Sequence, residues 1–486
     1  MNKHWLLTIP GVLLLAASPA AAIELKDAVQ AALNTNPEIR QAVANKNATQ
    51  AERRQAEGLW LPRISVEASA GVRQLKNPTR RAIGIAGQTL YPLEASVTAD
   101  ELLFDMGGRQ AEIRRQASRT DAAAARIEER SEFVALNVAR AYIDYLLQQR
   151  LVAIADDNAS FHQKLAGDLR EGVSKGSISI ADQQQAEERL QSARARVTEA
   201  REDLDTASIQ FQTLAGVPID SVSMPPDLSQ YLPATLQEAE AAARANNPRV
   251  QESVADLSTA REVTRAARSE LGPRVNLEGT ARVGHDVDGF QGKTTDLQAR
   301  VVMRWLVFNG ATNINNVREQ EARADEAHAR VFEQTRRAEE DARSAWSRLT
   351  NQTRLTSELE TQSRVSDDLL LSYREQFNVG RRSLLDVLDS QNTRYNVQAQ
   401  AETARLAKLY AQYRLLASTN RLIEALGVNM PSAAWSDERN HYRVNPIPAS
   451  DLEENSLAAP AMGPPSSTMG PPAPQPAPGA SPTGGR

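Results

Sequence analysis

The side chains able to do chemistry in this chain are few and badly placed for bond-making. Five histidines, at positions 4, 162, 285, 328 and 441, have no metal-ligand spacing, and cysteine is absent, so thiolate sites, disulfides and a lipidated cysteine are excluded. Neither a nucleophile elbow at a strand-to-helix turn nor a Walker-type phosphate loop is found, and Gly84–Thr89 reads as a surface loop. No enzymatic activity and no cofactor is expected. What remains is charge. Asp386 and Asp389 stand three apart, which puts both carboxylates on one helix face. On spacing alone this is a solvated acidic face; set into a pore, it would draw in cations.

Composition narrows the setting for such a face. The chain of 486 residues has a formal net charge of -5 and only 5% aromatic residues, so it lacks the basic footprint of a nucleic-acid binder and favours long helices over compact cores. Lys3 and His4, an apolar run from Trp5 to Ala17 and the small residues Ala20 to Ala22 read as a cleaved secretory signal over residues 1–22. No later run approaches the ~18 apolar residues that a spanning helix needs, so entry into a membrane would have to be by strands. Residues 449–486 are rich in Pro, Ala, Gly and Ser and are expected to be disordered.

The elements that position the carboxylates come in two copies. Leu25, Asp27, Ala28, Ala32, Asn36, Pro37 and Ile39 recur as Leu236, Glu238, Ala239, Ala243, Asn247, Pro248 and Val250, an offset of 211 residues (Pro37 to Pro248). The offset shrinks to 204 between the strands (Phe104 to Phe308, Gly176 to Gly380) and returns to 211 at Gly216 and Gly427. The difference is one heptad, which a coiled coil absorbs without changing its buried face. The predicted organisation is repeat 1 over 23–216, a connecting equatorial segment over 217–235, repeat 2 over 236–428 and a second equatorial segment over 429–448.

Each copy contains two stretches of strict alternation, about 62–75 and 91–104 in the first and 273–285 and 295–308 in the second. Ile64, Val66 and Ala68 oppose Ser65, Glu67 and Ser69; Leu297, Ala299, Val301 and Met303 oppose Asp296, Gln298 and Arg300. Roughly ten residues is the length at which a tilted strand crosses a bilayer. Four strands enclose no pore and eight are filled by side chains, so three chains and twelve strands make the smallest open barrel. A homotrimer facing outer-membrane lipid is expected.

From Gly108 and from Gly310 the chain runs without proline for roughly 65 residues, about 100 Å of helix at about 1.5 Å per residue. Heptad positions such as Ile113, Ala117, Thr120, Ala124, Ile127, Ser131, Val134 and Val138 hold small residues, as suits a wall of side-by-side helices wet on both faces. Glycine-marked turns at about 174–177 and 379–382 fold each long helix into a hairpin.

This arrangement resembles the TolC-like outer-membrane channel family of type I secretion and efflux, over about residues 23–428. The resemblance rests on the paired Asn-Pro helix starts, the junctions Leu102–Gly108 and Leu306–Thr312, and the tip Tyr373–Asp389. It implies a membrane α+β fold in which a trimeric twelve-stranded β-barrel continues into a periplasmic α-helical coiled-coil barrel. Implied partners are a periplasmic adaptor (membrane fusion protein) and an inner-membrane ABC or proton-driven transporter. Asp386 and Asp389 match the aspartates lining the periplasmic constriction, where threefold symmetry would gather six carboxylates. Asp182, Arg382 and Phe377 match the links that hold the hairpins shut, with Ala181 where a polar residue is frequent. Ser174, Lys175, Gly176, Val379, Gly380 and Arg381 match the tips that meet the adaptor. The implied function is the exit duct of type I protein secretion, with drug efflux and a soluble periplasmic coiled coil as alternatives.

Overall fold

The computed structural model describes residues 23–452. The expected secretory signal lies outside the described residues, as does the expected disordered tail from 453 onward; its first residues, Ala449–Leu452, instead form a 3-10 turn.

In chain order the first copy comprises α1 (Leu25–Thr35), α2 (Pro37–Glu57), β1 (Arg63–Ala70), β2 (Arg73–Gln74), α3 (Pro78–Ala82), β3 (Thr89–Leu90), β4 (Leu93–Phe104), α4 (Gly108–Ser174) and α5 (Ile180–Ala215). The second comprises α6 (Leu236–Asn246), α7 (Pro248–Ser269), β5 (Arg274–His285), β6 (Lys293–Arg304), α8 (Thr312–Asn378) and α9 (Leu384–Ser418), followed by the short helices α10 (Leu422–Ala425) and α11 (Glu438–His441). The Asn-Pro motifs start helices for the same reason in both copies. Asn36 accepts a hydrogen bond from Glu38 N at 2.8 Å, Asn247 accepts one from Arg249 N at 2.9 Å, and the proline fills the first helical position, where no N–H is needed.

The four long strands form one antiparallel sheet in the order β1-β4-β5-β6. Register keeps like with like: Val66 opposes Val97, Val97 opposes Ala281 and Ala281 opposes Leu297 on the apolar face. On the other face Glu278 takes Arg300 and Arg304, and Arg282 faces Glu94 and Asp296. Gly71 ends β1 earlier than the alternation suggested, and the chain between β1 and β4 turns into the small β2–β3 ribbon. Both faces of β1 are exposed throughout, and β1 and β6 each keep one unpaired edge. Among the described residues no helix is long and apolar enough to cross a membrane.

At the strand-to-helix junctions two consecutive left-handed residues turn the chain, Met106 and Gly107 in one copy and Gly310 and Ala311 in the other, with the glycine on opposite sides of the pair. Exposed aromatics collect there. Arg109 lies 4.0 Å over the Trp60 ring, and Trp305 Nε1 donates to Leu271 O at 3.0 Å, an arrangement suited to a membrane–water boundary.

The helices lie side by side. Near the strands the order is α2, α4, α7, α8, and toward the turns it is α5, α4, α9, α8. One side of the chain thus presents β1, α2 and α5, and the other presents β6 and α8.

The largest core lies midway along α4, where Val134, Val138 and Leu146 meet Val29, Phe211, Tyr413 and Ile423. Tyr142 Oη lies 2.7 Å from Ile23 O and 2.8 Å from Ser223 O and accepts from Ser223 N at 3.0 Å; Tyr413 Oη donates to Pro226 O at 2.7 Å. These two buried tyrosines fasten the 217–235 segment across the shaft. Beside them, burial pushes the Glu132 carboxyl up to about 8 while it accepts from Ile423 N at 3.1 Å.

One expectation about the helices fails. Ala122, Ala123, Ala124 and Ala125 are consecutive and all buried, so this part of α4 is covered around most of its circumference, with Arg126 on its one exposed stripe, rather than wet on two faces. The cause is the segment after α10, which leaves the equator and runs along α2 and α4 toward the strands. Lys46 Nζ donates to Ala433 O at 2.7 Å and Trp435 O at 2.6 Å, and Asp121 accepts from Ser436 Oγ, Glu438 N, Arg439 N and Arg439 Nε at 2.6 to 3.0 Å.

Candidate functional site at the hairpin tips

Both tips are built by one turn. Gly176, at φ 73, ends α4 with Gly176 N donating to Val173 O and Ser177 N to Gly172 O; Gly380, at φ 72, ends α8 with Gly380 N donating to Phe377 O and Arg381 N to Gln376 O. This is the Schellman pattern, which asks for a residue tolerant of left-handed backbone. Gly172 to Gly176 also spells Gly-x-Ser-x-Gly, but Ser174 closes a helix and its hydroxyl donates to Glu171 O at 2.7 Å, so no nucleophile is presented. A Cβ at Gly176 or Gly380 would meet nothing within 4 Å. Alanine at either position is therefore expected to cost only the backbone term, ~1–2 kcal/mol, read as equal losses of melting temperature in the two single variants.

The returning helices also start alike. Ser179 Oγ bonds Asp182 Oδ2 at 2.7 Å, and Ser383 Oγ bonds Asp386 Oδ2 at 2.8 Å, so Asp182 and Asp386 are equivalent first-turn residues. At the second tip Ser383 N also reaches Asp386, completing a capping box. The Ser383 hydroxyl and backbone, with Arg382 at 3.7 Å, hold the Asp386 carboxyl below the usual carboxylate range. Asp389 is exposed, and its side chain has no hydrogen bond or ion pair among the described residues; its counterpart in the first copy is Gln185.

Arg382 does not reach Asp182 within the chain. Its guanidinium lies 4.2 Å over the Tyr373 ring, with Nε on Gln376 Oε1 at 3.1 Å and Nη1 toward Asp386. Both aspartates are occupied by their own helix starts, and nearby partners satisfy the arginine. Phe377 does bridge the hairpins, packing on an apolar layer that includes Leu169 and Leu190 of the first and Leu384 and Leu388 of the second. Ser174, Lys175, Gly176, Val379, Gly380 and Arg381 are all exposed.

The polar ties between hairpins lie one layer farther from the tips. Gln391 Nε2 donates to Asn158 Oδ1 at 2.9 Å, Arg196 Nη1 to Asn392 Oδ1 at 3.2 Å and Arg394 Nη1 to Asp157 Oδ2 at 2.9 Å. Next to them His162 is buried, and burial first, then Arg189 and Arg196, lower its pKa to about 4. Spacing did not single out any of these residues. The Ser383-x-x-Asp386 capping signature, by contrast, was readable in the sequence.

A family model described as outer membrane efflux protein matches residues 28–217 and 241–427, one segment in each half of the duplication. The chain belongs to this family. Similar relatives include the outer membrane efflux protein BepC of Brucella suis biovar 1, 24% identical over 63% of this chain and 66% of its own length. The alkaline protease secretion protein AprF of Pseudomonas aeruginosa is 21% identical over 92% of this chain and 97% of its own. Among solved structures, the CmeC outer membrane channel of Campylobacter jejuni superposes with a TM-score of 0.72 at 14% identity, over 88% of this chain and 90% of that one. CusC gives 0.69 at 18% identity, over 85% and 96%. The fold is shared with these channels. The chain therefore resides in the outer membrane and belongs to a channel family rather than an enzyme family.

Proposed function

We propose that this protein is the exit duct of a tripartite type I protein secretion system, a passive homotrimeric conduit gated at its periplasmic tips. The supporting observation is the pair of open sides. A four-stranded sheet exposed on both faces and unpaired at both edges does not stand alone. In such a ring the β1-α2-α5 side of one copy would meet the β6-α8 side of the next, a head-to-tail contact of the kind that closes by rotation. Three copies supply twelve strands and a polar lumen.

At the far end, threefold symmetry brings Asp386 and Asp389 of all copies toward one axis. The Asp386 carboxylates are partly offset by capping and by Arg382, so the three Asp389 side chains supply most of the free negative charge. The exposed tips are the surfaces for a periplasmic adaptor and its ABC or proton-driven transporter. A secretion role is favoured by the near full-length match to AprF, named for alkaline protease secretion. A multidrug efflux role is the second reading, favoured by the relative TtgC of Pseudomonas putida, named a probable efflux pump outer membrane protein and 24% identical over 83% of this chain. Deleting the gene separates them. Secretion predicts loss of one or more extracellular proteins with unchanged drug tolerance, and efflux predicts drug hypersensitivity with an intact secreted set.

A further inference from the structure

We propose that Arg394 is a positioning residue for the gate, a clamp that holds the second hairpin against the first and must let go for the tip to open. The proposal rests on the reading of the chain as a tip-gated channel. Arg394 lies on α9, five residues past Asp389. Its Nε donates to Asp367 Oδ1 on α8 at 2.6 Å and its Nη1 to Asp157 Oδ2 on α4 at 2.9 Å. One guanidinium thus joins its own hairpin to the other. A planar fork with donors on two sides can do this; a lysine ammonium on one flexible stem cannot hold both directions.

The surroundings make the bond to Asp157 the releasable one. Gln398 Nε2 also reaches Asp367 Oδ1, at 3.1 Å, so the contact inside the second hairpin is doubly held. Across the hairpins, the tie to Asp157 is flanked by the buried Asn158–Gln391 bond and by Arg196, which lies 5.1 Å over the Tyr395 ring. The Arg394 side chain is 22% exposed and that of Asp157 62%, so water can replace Arg394 at Asp157 as the helices part. The clamp belongs to one copy only: the residue equivalent to Arg394 in the first hairpin is Leu190, which sits in the apolar layer. The hairpin carrying Asp389 therefore bears its own fastening, close to the charge it positions.

The test is single-channel conductance of the purified full-length protein in planar bilayers, with Asp389→Asn as a parallel control. Asp157→Asn is expected to raise resting conductance at least twofold, and Asp367→Asn, which cuts only the contact inside one hairpin, less than that. Asp157→Arg with Arg394→Asp, made in the Asp367→Asn background, reverses the pair and is expected to restore the low resting value. Restoration separates a specific clamp from general loosening. Unchanged conductance in Asp157→Asn, or failure of the reversed pair to restore it while heat stability of the assembly is kept, overturns the clamp. If the wild-type protein conducts nothing, or Asp389→Asn leaves cation block intact, the gated-channel reading fails and the clamp falls with it.

Discussion

Asp389→Asn is expected to weaken block of the channel by a multivalent cation at least tenfold, and Asp386→Asn only a few-fold. The two residues sit on one face of one helix, but their surroundings differ. Asp386 is bonded to the Ser383 hydroxyl at 2.8 Å and backbone at 3.3 Å and lies 3.7 Å from Arg382, whereas Asp389 is exposed, with no side-chain partner among the described residues. A unit charge pair about 4 Å apart in water is worth about 1 kcal/mol. A trivalent ion facing three free carboxylates gains enough beyond screening to exceed the ~1.4 kcal/mol that corresponds to a factor of ten. Asp386→Asn should show itself differently, through loss of the capping box and about 1 kcal/mol of stability. Titrating blocker concentration in both variants decides this. Equal losses of block would mean that capping and Arg382 do not neutralise Asp386.

His162 sets the second large effect, on acid stability. Its pKa falls from 6.5 in the open chain to about 4 in the fold, chiefly through burial and then through Arg189 and Arg196. Between those values the unfolded chain binds a proton that the folded one refuses. The contribution of neutral His162 is therefore complete above pH 6.5 and is lost as pH falls toward 4, by on the order of 3 kcal/mol. Glu132 works in the opposite sense. Its raised pKa lets the folded state hold an extra proton between 4.5 and about 8, so its contribution is complete below 4.5 and is lost as pH rises through 8. The informative measurement is consequently a difference: melting at pH 7.5 and at pH 4.5 for wild type and for His162→Gln. The variant should lose clearly less on acidification. An equal loss in both would show that His162 is protonated without cost.

The architecture was legible because its determinants are local or periodic. The Asn-Pro starts, Gly176 and Gly380, and the alternation from Arg63 to Ala70 each act within a few residues, and the duplication doubled every such signal. The contacts between the hairpins were less legible, because they join residues that no local rule brings together. Asp157 and Arg394 are 237 positions apart, and each alone reads as one more charge on a charged helix. Within one chain Asp182 is held by its own helix cap and Arg382 by the Tyr373 ring and Gln376, contacts that residue type alone does not display. Lys46 and Asp121 carried no local signal for a related reason. Both are buried because a segment almost four hundred residues farther along than Lys46 and over three hundred past Asp121 folds back over them.

That returning segment also bears on biogenesis. It covers one side of α4 using only residues of the same chain, whereas α8, the equivalent helix, has few buried positions along its length. In the proposed ring the first half would be largely covered within one copy, while the flank of α8 would stay open until a neighbouring copy packed on it. Assembly of that ring would then be the last step in folding α8, and an unassembled copy would present quality-control proteases with α8 well before α4.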